Sequence, residues 1–306
     1  PAKYGILTEL LPPEKLVPAN GWMEGLTVAS IILGAIIGGY LVGDHFSGYM
    51  KDEFAFLSDF PHLDSAPEVA IVILLLLYGV AALANLYIPK LAIDHKPARR
   101  DPLYLMQDFW ESFWKLWRDK LGQVSLAVTT LFWGAGATLR LIVLVWAEKW
   151  LGFTMQQATQ LTAVVAVGIA VGSILAARFV LLERAVRVLP VGIGMGLIVM
   201  SMVVVHDWRI AMALLVVAGG MAGFFVVPMN ALLQHRGHLL MGAGHSIAVQ
   251  NFNENLSILL MQGCYAWMIG ASYSYTVIVI LFGLFIAGTM GWLYRRHGHD
   301  QDAGET

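Results

Sequence analysis

One arginine, Arg140, interrupts the apolar stretch LFWGAGATLRLIVLVW. A guanidinium inside a bilayer costs from ~3 to over 10 kcal/mol, so it must face a cavity or a partner, or reach back to the surface. Its planar fork suits a phosphate group, which it holds through two parallel hydrogen bonds. A structural ion pair and snorkelling towards the nearer face are the alternatives. A second concentration of chemistry follows Gly242, where His245, Ser246, Gln250, Asn251, Asn253, Glu254 and Asn255 crowd one apolar segment. Gln250 and Glu254 are four apart and Asn251 and Glu254 three apart, so a helix places them on one face. Such groups either line a wet cavity or hydrogen-bond between helices. Glu24 with Asn20, and Asn230 beside Pro228, hold matching places elsewhere in the chain. Lys3 adds a cation near the start, suited to an anionic group or to a charged surface.

The elements that position these groups follow from composition. Only 13% of the 306 residues are charged, 58% are hydrophobic and the mean hydropathy is +0.68. A soluble domain carries roughly a quarter charged residues, so most of this surface meets lipid. The net charge of −2 argues against nucleic acid as a partner. The sole cysteine, Cys264, excludes a disulfide framework and a Cys-rich metal site. No nucleophile–base or paired-carboxylate motif of an enzyme appears. His235 and His238 read as loop residues. An enzyme is not expected.

A bilayer core of ~30 Å needs about 20 apolar helical residues. Eight segments qualify: Val17–Gly43, Val69–Leu91, Leu121–Trp150, Leu161–Leu182, Val186–Val205, Ile210–Leu233, Gly242–Gly270 and Tyr273–Tyr294. Glycines four apart, at Gly34/Gly38, Gly168/Gly172 and Gly219/Gly223, predict close helix packing. Counted by the positive-inside rule, 15 of the 19 basic residues fall on one side, three on the other, and Arg140 within the membrane. Both ends of the chain are therefore expected in the cytoplasm, and loop 44–68, with six acids and one lysine, outside. Over Leu103–Lys120 the residues Met106, Phe109, Trp110, Phe113, Trp114 and Trp117 recur at helical spacing, which predicts an amphipathic helix in the headgroup plane.

The stretch from Pro1 and the stretch from Pro228 agree in order: a proline closing a helix, a short polar turn, then a helix with amides and a carboxylate in its first half. Two spans precede the basic linker and six follow it. The expected architecture is an all-α membrane protein with about eight transmembrane helices of twelve. Its segments are 1–91 (the last two helices of an N-terminal half), 92–120 (a cytoplasmic linker), 121–296 (a six-helix C-terminal half) and 297–306 (a cytoplasmic tail).

The segments PAKYGIL, ANGWMEG, LFWGAGATLRLIVLVW, GFFVVPMNALLQHRG and GAGHSIAVQNFNEN resemble the bacterial lysophospholipid transporters of the major facilitator superfamily, from Pro1 to about Arg296. The superfamily's glycine-and-arginine signature is only echoed, at Arg178, Leu182–Arg184 and Arg187. The resemblance implies a bacterial inner-membrane carrier that moves lysophosphatidylethanolamine and related lysolipids from the outer to the inner leaflet. A partner acyltransferase/acyl carrier protein synthetase would then re-acylate them. It also implies a cation-coupled symporter, with Na+ or H+ as the coupling ion and no other cofactor. Arg140, Glu254, Gln250, Asn251, Asn230, Glu24 and Lys3 are the candidate substrate-contacting residues. A superfamily exporter of drugs or other amphiphiles is the alternative; a channel would need a pore ring repeated between subunits.

Overall fold

The computed structural model describes residues 2–42, 66–88 and 101–297, and these are helical almost throughout. In order they form α1 (Ala2–Leu10), α2 (Leu16–Val42), α3 (Ala66–Asn85), α4 (Pro102–Arg118), α5 (Lys120–Leu151), α6 (Met155–Phe179), α7 (Leu189–Ser201), α8 (Trp208–Met241), α9 (Ala243–Gly270) and α10 (Tyr275–His297). Short 3-10 turns, Leu182–Val188 and Met202–Val204, extend α7 at both ends. Each of the eight expected spans coincides with one helix. Loop 44–68 for the most part, and residues 92–100 of the basic linker, lie outside the described residues, as does most of the tail.

Local signals set the helix ends. The Asp101 carboxylate accepts from the Leu103 amide and Pro102 opens α4. The Asp119 carboxylate accepts from the Gly122 amide at 2.8 Å and caps α5. Thr154 and Gln157 form a reciprocal capping box at the start of α6. Gly152, with φ of 65°, ends α5 in the left-handed conformation that glycine adopts without strain.

Among the described residues six stretches are long and apolar enough to cross a membrane, in α2, α3, α5, α7 with its flanking turns, α8 and α10. In α6 the apolar part is shorter, Ala163–Phe179. Helix α9 has ample length at 28 residues; its amides and carboxylate lower its hydropathy.

Two compact units divide the chain: Pro1–Val28 with Arg99–Thr306, and Ala29–Ala98. In the smaller one, α3 exposes a broad apolar surface, Leu75, Leu76 and Tyr78 among it. Among the described residues nothing packs against Gly34 or Gly38.

The larger unit is organised on α8. A side chain at Gly172 of α6 would collide with the carbonyl oxygen of Gly220, and one at Gly168 with that of Val216. Reciprocally, Gly219 and Gly223 of α8 lie against the carbonyls of Val165 and Ile169. Lipid tails are as apolar as leucine, so such close contact of backbones, together with hydrogen bonds between helices, is what holds these helices together. On its other side α8 joins a core of Val128, Leu131, Met195, Phe225, Met229, Ile286 and Met290, drawn from α5, α7 and α10. Towards the end of α5, buried Trp146 donates its indole N–H to the carbonyl of Met202 at 2.8 Å.

Pro228 does not close its helix, contrary to expectation: α8 runs on to Met241. Proline removes one backbone bond, and a membrane helix tolerates this when its surroundings are packed; Val226, Val227 and Met229 beside it are all buried. His235 and His238 accordingly sit in helix, not in a loop.

Replacing Gly172 by valine should drive α6 and α8 apart. Overpacking costs about 1–3 kcal/mol, read as a lower melting temperature and a broadened size-exclusion peak in detergent. Gly288→Ala, where a methyl group meets open space, should change neither.

Candidate functional site

Three helices of the larger unit bring polar side chains into its interior. On α8, Asn230, Gln234 and His238 recur every four residues; on α9, Ser246, Gln250 and Glu254 do the same; the first turns of α2 supply Asn20 and Glu24. At that spacing each set forms one stripe.

Gln250 is the centre of the inner cluster. Its amide Nε2 donates to Glu254 Oε1 at 2.7 Å and to Asn230 Oδ1 at 3.2 Å, and all three residues are buried. Glu24, at 8% exposed, is as buried as Glu254. The structure therefore assembles Asn230, Gln250 and Glu254, and buries Glu24 on α2. It does not include Asn251, which is exposed and contributes only its backbone carbonyl to the Asn255 amide. The register of α9 that turns Gln250 and Glu254 inward carries Asn251 outward, despite its three-residue spacing from Glu254. Lys3 belongs to α1, but its side chain is outside the described residues.

Arg140 stands apart from this cluster. It is exposed and follows Trp133 and Gly136 down one exposed stripe of α5. Helices α5 and α9 run parallel: Leu126 and Val249 share one buried cluster, and Gly134 lies against Ser257. Arg140 is thus level with residue 263, nine residues beyond Glu254, or about 13 Å along the axis at 1.5 Å per residue. The guanidinium and the Glu254 carboxylate occupy two levels of the same helix pair.

One turn from the cluster, Asn20 and Gln234 exchange two hydrogen bonds: Asn20 Nδ2 to Gln234 Oε1 at 2.9 Å, and Gln234 Nε2 to Asn20 Oδ1 at 2.8 Å. Asn20 also donates to the Leu16 carbonyl at 2.9 Å. Both amides are essentially inaccessible, 0% and 3% exposed, so each depends on the other. Beside Asn20, Gly21 lets α2 lie close against α6, since a methyl group there would sit 2.9 Å from the Ser173 carbonyl. Sequence reasoning missed Gln234; the four-residue spacing Asn230–Gln234–His238 in an apolar helix was the available signal.

Beyond these amides, charged pairs tie the same end of the bundle together. Arg236 Nε donates to Asp119 Oδ2 at 2.9 Å and a second guanidinium nitrogen donates to Oδ1. Burial would raise the Asp119 carboxyl, but the bonds from Arg236 and the Gly122 amide outweigh it and hold its pKa below the ordinary carboxylate value. His245 Nε2 lies 2.7 Å from Asp108 Oδ2 of α4, and His238 Nδ1 lies 3.3 Å from Glu9 Oε1 of α1. Among the described residues no group of His, Cys, Asp and Glu is placed to hold a metal ion.

Membrane-length helices that turn amides and a carboxylate towards one another, with a guanidinium on an adjoining open stripe, define a multi-pass membrane carrier. The sequence profile described as Major Facilitator Superfamily matches residues 1–260. Lysophospholipid transporter LplT of Escherichia coli O1:K1 / APEC is 42% identical over 299 residues, which span 97% of this chain and 70% of that protein. The LplT proteins of Escherichia coli O81 (strain ED1a) and Shigella boydii serotype 4 (strain Sb227) show the same identity and coverage. The chain belongs to the Major Facilitator Superfamily.

The Asn20–Gln234 exchange predicts a large non-additivity. Asn20→Leu or Gln234→Leu alone strands a buried amide and should cost about 1–3 kcal/mol. The double variant should recover much of that in thermal unfolding. Additive losses would show that the two amides do not depend on each other.

Proposed function

We propose that the protein transports lysophospholipids such as lysophosphatidylethanolamine, moving them from the outer to the inner leaflet of a bacterial inner membrane. The observation that carries this reading is 42% identity along 97% of the chain to transporters of that substrate class. Arg140 suits the task chemically. A lysolipid headgroup is a phosphodiester, and a guanidinium on an open stripe of a membrane helix, one turn from Gly136 and two from Trp133, offers it two hydrogen bonds.

The buried set Glu24, Asn230, Gln250 and Glu254 is read as the coupling site. Two buried carboxylates are each eased by a proton or a sodium ion, and the Gln250 and Asn230 amides supply further polar atoms beside Glu254. Lys3 and Asn251 are kept as outlying contacts of the lipid. Delivery to the inner leaflet places the product where an acyltransferase/acyl carrier protein synthetase would re-acylate it.

Uptake of labelled lysophosphatidylethanolamine into proteoliposomes tests this, with sodium and proton gradients imposed one at a time. Arg140→Ala should lower uptake by about 10- to 100-fold, the equivalent of one charge-assisted bidentate contact. Arg140→Lys, which keeps charge but not the fork, should fall between. Glu254→Gln should abolish the gradient dependence. Outward movement of dyes without lysolipid uptake would instead identify an exporter of amphiphiles.

The proposed orientation puts both ends of the chain in the cytoplasm, following the 15-to-3 division of basic residues. Single cysteines in loop 44–68 should react with an impermeant thiol reagent in intact cells, and those in 92–102 should not. Equal labelling of both would overturn the orientation.

A further inference from the structure

Helix α4 has three longitudinal faces. At about 100° per residue they are roughly a third of a turn apart. The first, Phe109, Ser112, Phe113 and Leu116, is packed: Leu116 is fully buried with Leu126, Leu233 and Val249, and the rings of Phe109 and Phe113 lie 5.3 and 6.2 Å from Phe252 of α9. The second, spaced three, four and four, is Leu103, Met106, Trp110 and Trp114; these are 67%, 58%, 43% and 53% exposed, although one edge of the Trp110 ring also meets Phe252 at 6.2 Å. The third carries Glu111, Lys115 and Arg118, all exposed.

An open row of four large apolar side chains is costly in water at ~25 cal/mol per Å², and its position tells what covers it. A single residue, Asp119, joins α4 to the membrane-length α5, and the Arg236 fork fixes that residue. The end of α4 therefore lies at the boundary of the membrane, where indole rings are most at ease. Lys115 and Arg118 occupy that end, on the stripe adjoining the apolar one. Lys115 is held only loosely, 4.0 Å from Glu111 across solvent, a pairing worth little, so its charge is available to another anion.

We propose that α4 is a lipid-docking surface. Leu103, Met106, Trp110 and Trp114 sink into the adjoining leaflet, while Lys115 and Arg118 hold the phosphates of anionic phospholipids. The Asp108–His245 and Asp119–Arg236 pairs fasten the docked helix to α9 and α8, so lipid bound here contacts the helices that carry the candidate site.

The test reads insertion, not uptake, and so stands or falls separately from the proposed substrate. In a Cys264→Ser background, nitroxides are placed by Met106→Cys, Trp114→Cys and Glu111→Cys, and the protein is reconstituted in vesicles containing phosphatidylglycerol. The labels at 106 and 114 should collide more with oxygen than with an aqueous nickel chelate, and the label at 111 the reverse. A fluorophore at Met106→Cys should be quenched more by spin-labelled phosphatidylglycerol than by spin-labelled phosphatidylcholine. That preference should shrink by about fivefold for each of Lys115→Gln and Arg118→Gln, the factor expected for one surface cation. Aqueous accessibility at 106 and 114 equal to that at 111 would overturn the proposal and leave the row to water. Protection from both collision reagents would show that protein covers it. Equal quenching by the two lipids in the parent protein would remove the anionic selectivity.

Discussion

The contact of α6 with α8 sets the frame for the rest of the larger unit. Within lipid the hydrophobic effect gives helices no reason to associate, so a fixed arrangement has to come from close backbones and from polar groups that find one another. Gly168 and Gly172 facing Gly219 and Gly223 supply the first. Once α8 is seated on that seam, the positions of Asn230, Gln234, Arg236 and His238 follow from helical geometry. So do the places at which α1, α2, α4 and α9 can satisfy them. A side chain at any of the four glycines would displace the polar contacts as well as the packing.

Much of this was legible in the sequence because hydropathy and glycine spacing are local signals. Each of the eight spans appears as a helix, and so does the amphipathic helix ahead of Lys120. The Gly168/Gly172 and Gly219/Gly223 pairs pack as their spacing suggests, whereas among the described residues nothing meets Gly34 or Gly38; a spacing records that two helices can approach, not which helix does. The site was partly legible for a similar reason. Spacing grouped Gln250 with Glu254 correctly, but it grouped Asn251 with them as well, and only the rotation of α9 against α8 decides between them. The Asn20–Gln234 exchange joins residues 214 positions apart, a relation that no periodicity within one helix reports.

The two levels of chemistry on α5 and α9 bear on how transport is divided. If Arg140 had been salt-bridged to Glu254, the pair would neutralise itself and leave little for either substrate or ion. About 13 Å of helix keeps them separate, with the guanidinium on an exposed stripe and the carboxylate buried. On the proposed reading the first serves a phosphodiester that arrives with its acyl chain, and the second serves a small cation that needs no chain-sized opening. Any coupling between them must then pass through movement of the helices that carry both, since direct Coulomb attraction at that distance is weak wherever water reaches.

Pro228 is placed where such movement is least resisted. Before it, α8 is committed to α6 through the glycine seam; after it, the same helix is committed to α2 by Gln234, to the α4–α5 junction by Arg236 and to α1 by His238. The two commitments involve different partners, and a continuous ladder of hydrogen bonds would force them to shift as one. Proline takes away the amide that would have bonded to the Phe224 carbonyl, so the ladder is weakest between the two anchored parts and two residues before Asn230. That residue is the acceptor through which α8 holds Gln250 and, through it, Glu254.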